Sequence, residues 1–158
     1  MKVRSVNYVF IVNDLGYGSD ALRAEDILDC LLASDVWAYT PRTPHVSRIG
    51  VGDRVIVYAA GANRRFFCAS FTIAGRPSVT RPALLGEARD RLMSLFSLWT
   101  PIRDTERWGI PVPMSEVKDV LAFITDKKNW GLHIRQSVRE IDDGDYNLIQ
   151  EHRLRLNG

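Results

Sequence analysis

The sequence predicts an α+β domain: a small mixed β-barrel with flanking helices, built from residues 1–158 as one unit. Three observations predict it. Strand-like segments cluster in the middle of the chain. Helical patterns sit in connections and towards the C-terminal end, so the two do not alternate as in a parallel doubly wound sheet. The 158 residues suffice for a core, and no linker or internal repeat divides them.

Val6 to Val12 is rich in β-branched and aromatic residues and reads as the first strand. Asn13 to Gly18 is a loop. Ser19 or Asp20 is expected to cap a helix running to about Ala33, with Ala24, Ile27, Leu28, Leu31 and Leu32 at helical spacing. Val36–Tyr39 is a short strand, ended by Pro41 and Pro44. A turn at Val51-Gly52-Asp53 leads into a strand from Arg54 to Ala60. After the Gly61-Ala62-Asn63 loop, Arg65 to Ala74 is its antiparallel hairpin partner.

Pro82 to Phe96 carries a helical pattern. Leu98 to Val112, with Pro101 and Pro111, reads as one or two edge strands. Ser115 is expected to cap a short helix holding Val117, Val120 and Leu121. Trp130 to Val138 fits neither period. Asp142 opens a last helix, with Asp145 three residues on as in a capping box, and the tail after Arg153 is unassigned.

Composition is ordinary for a soluble globular protein, with 46% hydrophobic and 25% charged residues. No apolar run is long enough to span a bilayer. Met1 to Ser5 leads into apolar Tyr8 to Val12, too short for a signal-peptide core, so a cytoplasmic protein is expected, with no membrane partner. Cys30 and Cys68 lie apart, in apolar patterns, and read as small buried hydrophobes without a disulfide. Net charge is +2, but the stretch from Arg42 to Arg81 holds seven arginines against Asp53 alone. That basic middle is either a solvated face or a phosphate-facing surface.

Motifs for catalysis are weak. Leu15-Gly16-Tyr17-Gly18-Ser19-Asp20 follows a strand and opens a helix, but lacks the third glycine and the lysine of phosphate loops and reads as a plain turn. His45, His133 and His152 have no metal-ligand spacing. There is no G-x-S-x-G. The carboxylates Asp142, Asp143 and Asp145 sit at a helix start, where capping explains them. Thus no catalytic residue, metal or cofactor is expected. Four tryptophans, Trp37, Trp99, Trp108 and Trp130, are many for this length. Tryptophans usually fill cores, but Trp37 and Trp130 border polar, basic loops, where aromatic rings suit base stacking.

Val36-Trp37-Ala38-Tyr39-Thr40-Pro41 and Ser47-Arg48-Ile49-Gly50-Val51-Gly52-Asp53-Arg54-Val55-Ile56-Val57-Tyr58 together resemble the EVE-domain family, a branch of the PUA-like fold. Pro113-Met114-Ser115-Glu116-Val117, the Trp130 to Ile141 segment and Asp145-Tyr146-Asn147-Leu148-Ile149 resemble that family's C-terminal third, in a short microbial form. Leu98 to Val112 departs from it, and the Arg-Asn dipeptide common after the aromatic strand is missing. The resemblance implies a non-catalytic reader of nucleic acid, DNA or RNA, that holds a flipped or modified base in an aromatic pocket. It implies Trp37 and Tyr58 as pocket walls, with Asn13, Thr40 and Ser47 near the base edge. Trp130 and Arg135 would close the other side, and Arg42 would meet phosphate. His133, close after Trp130, reads from the sequence as a pocket neighbour, and Arg48 and Arg54, in the basic middle, as phosphate-facing. Two rivals stay open: a small hydrolase or base-processing enzyme using His133 and Arg135 in the same cleft, and a small-molecule-sensing interaction module.

Overall fold

In the computed structural model, residues 5–158 are described. Residues 1–4, where the absence of a signal peptide is expected, lie outside them. Among the described residues six strands form one mixed sheet: β1 (Asn7–Val12), β2 (Val36–Tyr39), β3 (Arg54–Ala59), β4 (Phe66–Ile73), β5 (Leu98–Pro113) and β6 (Val138–Ile141). Their spatial order is β2-β5-β4-β3-β1-β6. β1 and β3 pair in parallel, and the other pairings are antiparallel, including the expected β3–β4 hairpin. Four α-helices accompany the sheet: α1 (Ala24–Ala33), α2 (Arg89–Leu95), α3 (Met114–Val117) and α4 (Asp143–Asn157). The result is the expected α+β, PUA-like architecture, with the barrel left open between β2 and β6.

Side-chain alternation in the central strands feeds two cores. Tyr8, Phe10 and Val12 of β1, with Val55, Val57 and Ala59 of β3, point into the first, which α1, β2 and α2 cover. Val9, Ile56 and Tyr58 point the opposite way, into a second core closed by α3, Leu121, Ile124 and α4. Both faces of β1 and β3 are therefore buried. That is why they read as near-continuous apolar runs rather than as alternating strands.

Several elements differ from the sequence reading. Gly18–Asp20 is a 3-10 turn, and α1 starts only at Ala24. Its cap is not Ser19 or Asp20: the Ala24 N–H donates to Asp14 Oδ1 at 2.8 Å, from the far side of the loop. Of the pattern from Pro82 to Phe96, only Arg89–Leu95 is helical. Gly86 sits at φ +105°, and the Leu85 N–H donates to Ser34 Oγ at 2.8 Å, so this backbone is held against the end of α1. The stretch from Leu98 is one long strand inside the sheet order rather than one or two edge strands. Its first four residues pair with β2 and the remainder with β4. Residues 108–111 oppose only Cys68 on β4, a bulge that places Pro111 where no ladder N–H is required.

At the C-terminal end, Ser115 lies inside α3 instead of capping it, with Pro113 at the cap position. The ambiguous segment becomes a 3-10 turn, Trp130–Ile134, followed by β6. The cap of α4 is as expected, with the Asp145 N–H donating to Asp142 Oδ1 at 2.7 Å. The Asp145 carboxylate turns elsewhere, accepting from the Ala122 and Phe123 N–H groups at 2.7 and 2.9 Å. It thereby ties the loop after α3 to α4. Both cysteines are free, Cys30 buried and Cys68 half-buried. No helix among the described residues is long and apolar enough to cross a membrane.

Candidate functional site

A cavity of about 140 Å³ lies where β1 ends. Its walls come from both extremes of the sheet order: Trp37, Ala38 and Tyr39 from β2, and Val138 from β6. The sheet thus curls until its two edges face one space. Ile11 and Val12 form the floor with Ile27 and Leu31 of α1, and Leu15 and Phe96 add apolar surface. Polar groups occur at Asn13, Thr43 and Ser137, of which Asn13 and Ser137 are exposed and Thr43 half-buried.

Each wall has a local cause. Trp37 is 6% exposed and wedged between Phe10 and Phe71, at ring-centroid distances of 5.7 and 5.4 Å. Thr43 is set by a tight turn: its N–H donates to Thr40 O at 3.0 Å, and its hydroxyl accepts from the Thr40 N–H at 3.0 Å. Ser137 is brought to the rim by its carbonyl, which accepts from the Ile11 N–H at 2.9 Å. Phe96 follows α2 and is held by the next residue, whose N–H donates to Tyr39 O at 3.2 Å. At Asn13, Oδ1 accepts from the Asp14 N–H at 2.8 Å, which leaves the amide NH₂ as a donor at the mouth.

Three arginines sit near the mouth. Arg42 adjoins Thr43, and Arg135 lies two residues before Ser137. A guanidinium nitrogen of Arg91 is 4.0 Å from where a Cβ on Gly16 would stand, next to Leu15. All three are exposed, and none has a carboxylate partner among the described residues.

The structure brings Trp37 and Asn13 of the expected residues into one cavity. It does not bring Tyr58 to them. Tyr58 is fully buried in the second core, in edge contact with Phe67 at 5.1 Å. Thr40 supports the turn that presents Thr43. Ser47 is exposed on a 3-10 turn away from the cavity wall. Trp130 packs against the second core, and His133 Nε2 accepts from the Asp126 N–H at 3.0 Å. Arg48 contacts His45 and pairs with Glu140 at 3.6 Å. Arg54 is half-buried and tied down at the surface: its Nε donates to Asn7 Oδ1 at 2.9 Å, its guanidinium stacks 4.1 Å from the Tyr146 ring centre, and it meets Asp143 at 3.3 Å. Thr43, Phe96 and Ser137 were missed: Thr43 is placed by the local turn at Thr40, and only long-range pairing brings Phe96 and Ser137 to Trp37. Trp99 and Trp108 are core residues, and Trp108 Nε1 donates to Ser70 Oγ at 3.3 Å.

Electrostatics around the cavity follow from burial and one clamp. Burial pushes the Tyr39 phenol up out of the titrating range. It raises Tyr8 to about 12, with the Asp53 charge adding to it. Both phenols are therefore neutral at physiological pH. On the far side of α1, Arg64 donates to Glu25 through two bonds of 2.7 Å and to Asp14 Oδ1 at 2.7 Å. The Arg64 hydrogen bond holds Glu25 down at about 2, and Asp14 is lowered first by the Ala24 N–H and then by Arg64. This clamp fixes the start of α1 against the loop that follows Asn13.

No family model matches the chain. A protein of Mesorhizobium japonicum, UPF0310 protein msl3206, is 38% identical over 55 residues, which is 34% of this chain and 37% of that protein. Solved structures align over nearly the whole length. A hypothetical protein from Leishmania major gives a TM-score of 0.64 at 12% identity, covering 98% of each chain. Human THYN1, solved with 5-methylcytosine-containing DNA, gives 0.60 at 8% identity, covering 94% of this chain and 98% of that one. The YTH domain of Zygosaccharomyces rouxii MRB1, solved with N6-methyladenosine RNA, gives 0.58 at 10% identity, covering 97% and 90%. By its fold, an α+β sheet curled into an open barrel, this chain is similar to these proteins.

Proposed function

We propose that the chain is a nucleic-acid-binding module that holds an extruded, modified base in the cavity beside Trp37. The observation that carries this reading is the cavity itself: apolar walls, an aromatic face, and polar groups confined to the rim. An extruded base needs that combination, a stacking face and a few hydrogen-bonding groups for its edge. The size favours a single six-membered ring. A dry cavity of about 150 Å³ accepts benzene, so about 140 Å³ suits a pyrimidine with a small substituent better than a purine. Human THYN1 and the YTH domain, which share the fold, were solved with methylated nucleic acid, and this supports the same reading. Asn13, Thr43 and Ser137 would meet the base edge, and Arg42 and Arg135 the phosphates. Tyr58 and Arg54 have no part in it.

The test is a titration of short strands carrying cytosine or 5-methylcytosine, read by fluorescence anisotropy. The wild-type protein should prefer one of the two, and Trp37→Ala should erase the preference while the circular-dichroism spectrum is kept. Equal affinity of the wild-type protein for both strands counts against the cavity as a base reader.

A further inference from the structure

We propose that the Gly16-Tyr17-Gly18 loop and Arg91 form a second contact for the same strand. Tyr17 stacks on a base adjacent to the one held beside Trp37, and Arg91 takes a phosphate between them. This rests on the base-binding reading above.

The first observation is Tyr17 itself. It is 96% exposed, whereas Tyr8, Tyr39, Tyr58 and Tyr146 are all buried. Its ring contributes nothing to the core, although an aromatic ring is the side chain with most to gain from burial. The loop that carries it is pinned at its base, where Leu15 and Leu22 exchange N–H···O bonds of 2.8 and 2.7 Å. At its tip, Gly16 and Gly18 adopt φ of +88° and +66° on either side of Tyr17. A Cβ at Gly18 would meet nothing within 4 Å, so the backbone conformation, not crowding, is what requires glycine there. The fold therefore holds an exposed aromatic ring on a closed loop.

The second observation is position. Leu15 lines the cavity, and Tyr17 follows it by two residues, a reach of at most roughly 7 Å, which is within range of the neighbouring base on a strand. The third is charge. Arg91 reaches Gly16 from α2 and has no carboxylate partner among the described residues, so its planar fork is available for phosphate. An aromatic ring beside a cation next to a base-sized cavity is the arrangement by which single strands are held without sequence preference.

The experiment titrates the wild-type protein, Tyr17→Ala, Tyr17→Phe, Arg91→Ala and Trp37→Ala against labelled DNA and RNA strands. Each strand carries either cytosine or 5-methylcytosine at one position. Tyr17→Ala should weaken binding to methylated and unmethylated strands alike, by about five- to 150-fold, and leave their ratio unchanged. Tyr17→Phe should keep wild-type affinity, because the ring does the stacking. Arg91→Ala should weaken both strands and flatten the salt dependence. Trp37→Ala should erase the ratio instead. If Tyr17→Ala binds both DNA and RNA strands as the wild-type protein does, the loop has no such role and the cavity reading stands. If Tyr17→Ala alters the ratio, Tyr17 belongs to the cavity and the separate contact is overturned. A wild-type ratio of one overturns the cavity reading and this inference with it.

Discussion

Trp37 and Val138 come from opposite ends of the strand order and line the same cavity. Two sheet edges that never pair thus share one space, and either can be used to fill it. Val138→Phe adds a ring from the β6 side. Overpacking a core costs about 1–3 kcal/mol, and the void should absorb part of that. Thermal melting should show a modest fall in Tm, while discrimination between methylated and unmethylated strands is lost.

Tyr58 gives the contrasting case from the other core. Its hydroxyl is buried and has no hydrogen-bond partner among the described residues, and burial pushes its pKa up. A buried unsatisfied group costs about 1–3 kcal/mol. Tyr58→Phe should therefore leave stability unchanged or raise it. Tyr58→Ala should lower it by about 3–5 kcal/mol. Urea denaturation measures both, and strand discrimination should be unaffected by Tyr58→Phe.

Arg64 should dominate the acid limb of stability. Its partners Glu25 and Asp14 titrate below their ordinary values. A carboxylate with a depressed folded-state pKa contributes stability above its unfolded pKa and loses it as pH falls towards the folded value. For Glu25 the window runs from about 4.5 down to about 2. Arg64→Met should lower stability at neutral pH and flatten the stability profile across that window. A profile as steep as the wild type in Arg64→Met would remove the clamp as its cause.

Arg42 and Arg54 should separate binding from stability. Arg42 is exposed beside Thr43, whereas Arg54 is bonded to Asn7 and stacked on Tyr146. Arg42→Ala should weaken nucleic-acid binding and reduce the slope of log affinity against log salt by about one, with Tm unchanged. Arg54→Ala should do the reverse. Binding at two salt concentrations and a melting curve for each variant decide the matter.

Much of the architecture was legible in local pattern. Val55 to Tyr58 announces a strand by its β-branched run, and Asp142 announces α4 by its spacing to Asp145. Elements set by distant partners were not legible. The cap of α1 comes from Asp14 across a loop, and the backbone before α2 is pinned by Ser34. The site shows the same division. Trp37 and Asn13 stand out in the sequence, and Thr43 follows from the local turn at Thr40, yet Phe96 and Ser137 join them only once distant strands are assembled. The resemblance set Tyr58 beside Trp37, but both faces of β3 are apolar, and an apolar run does not say which core a ring enters.

The pairing of β1 with both β3 and β6 also dictates when the fold can be completed. Asn7 aligns with Arg54 on one side and with Ile141 on the other. A chain emerging from the ribosome can form the β1–β3–β4 part early. The second edge of β1 stays bare until β6 is released. Contacts so distant in sequence slow folding, and an unpaired apolar edge invites association with other chains in the interval. Val138 arrives with that same strand, so the cavity beside Trp37 is among the last features to form, and truncation before β6 should yield an aggregating chain rather than a weaker binder.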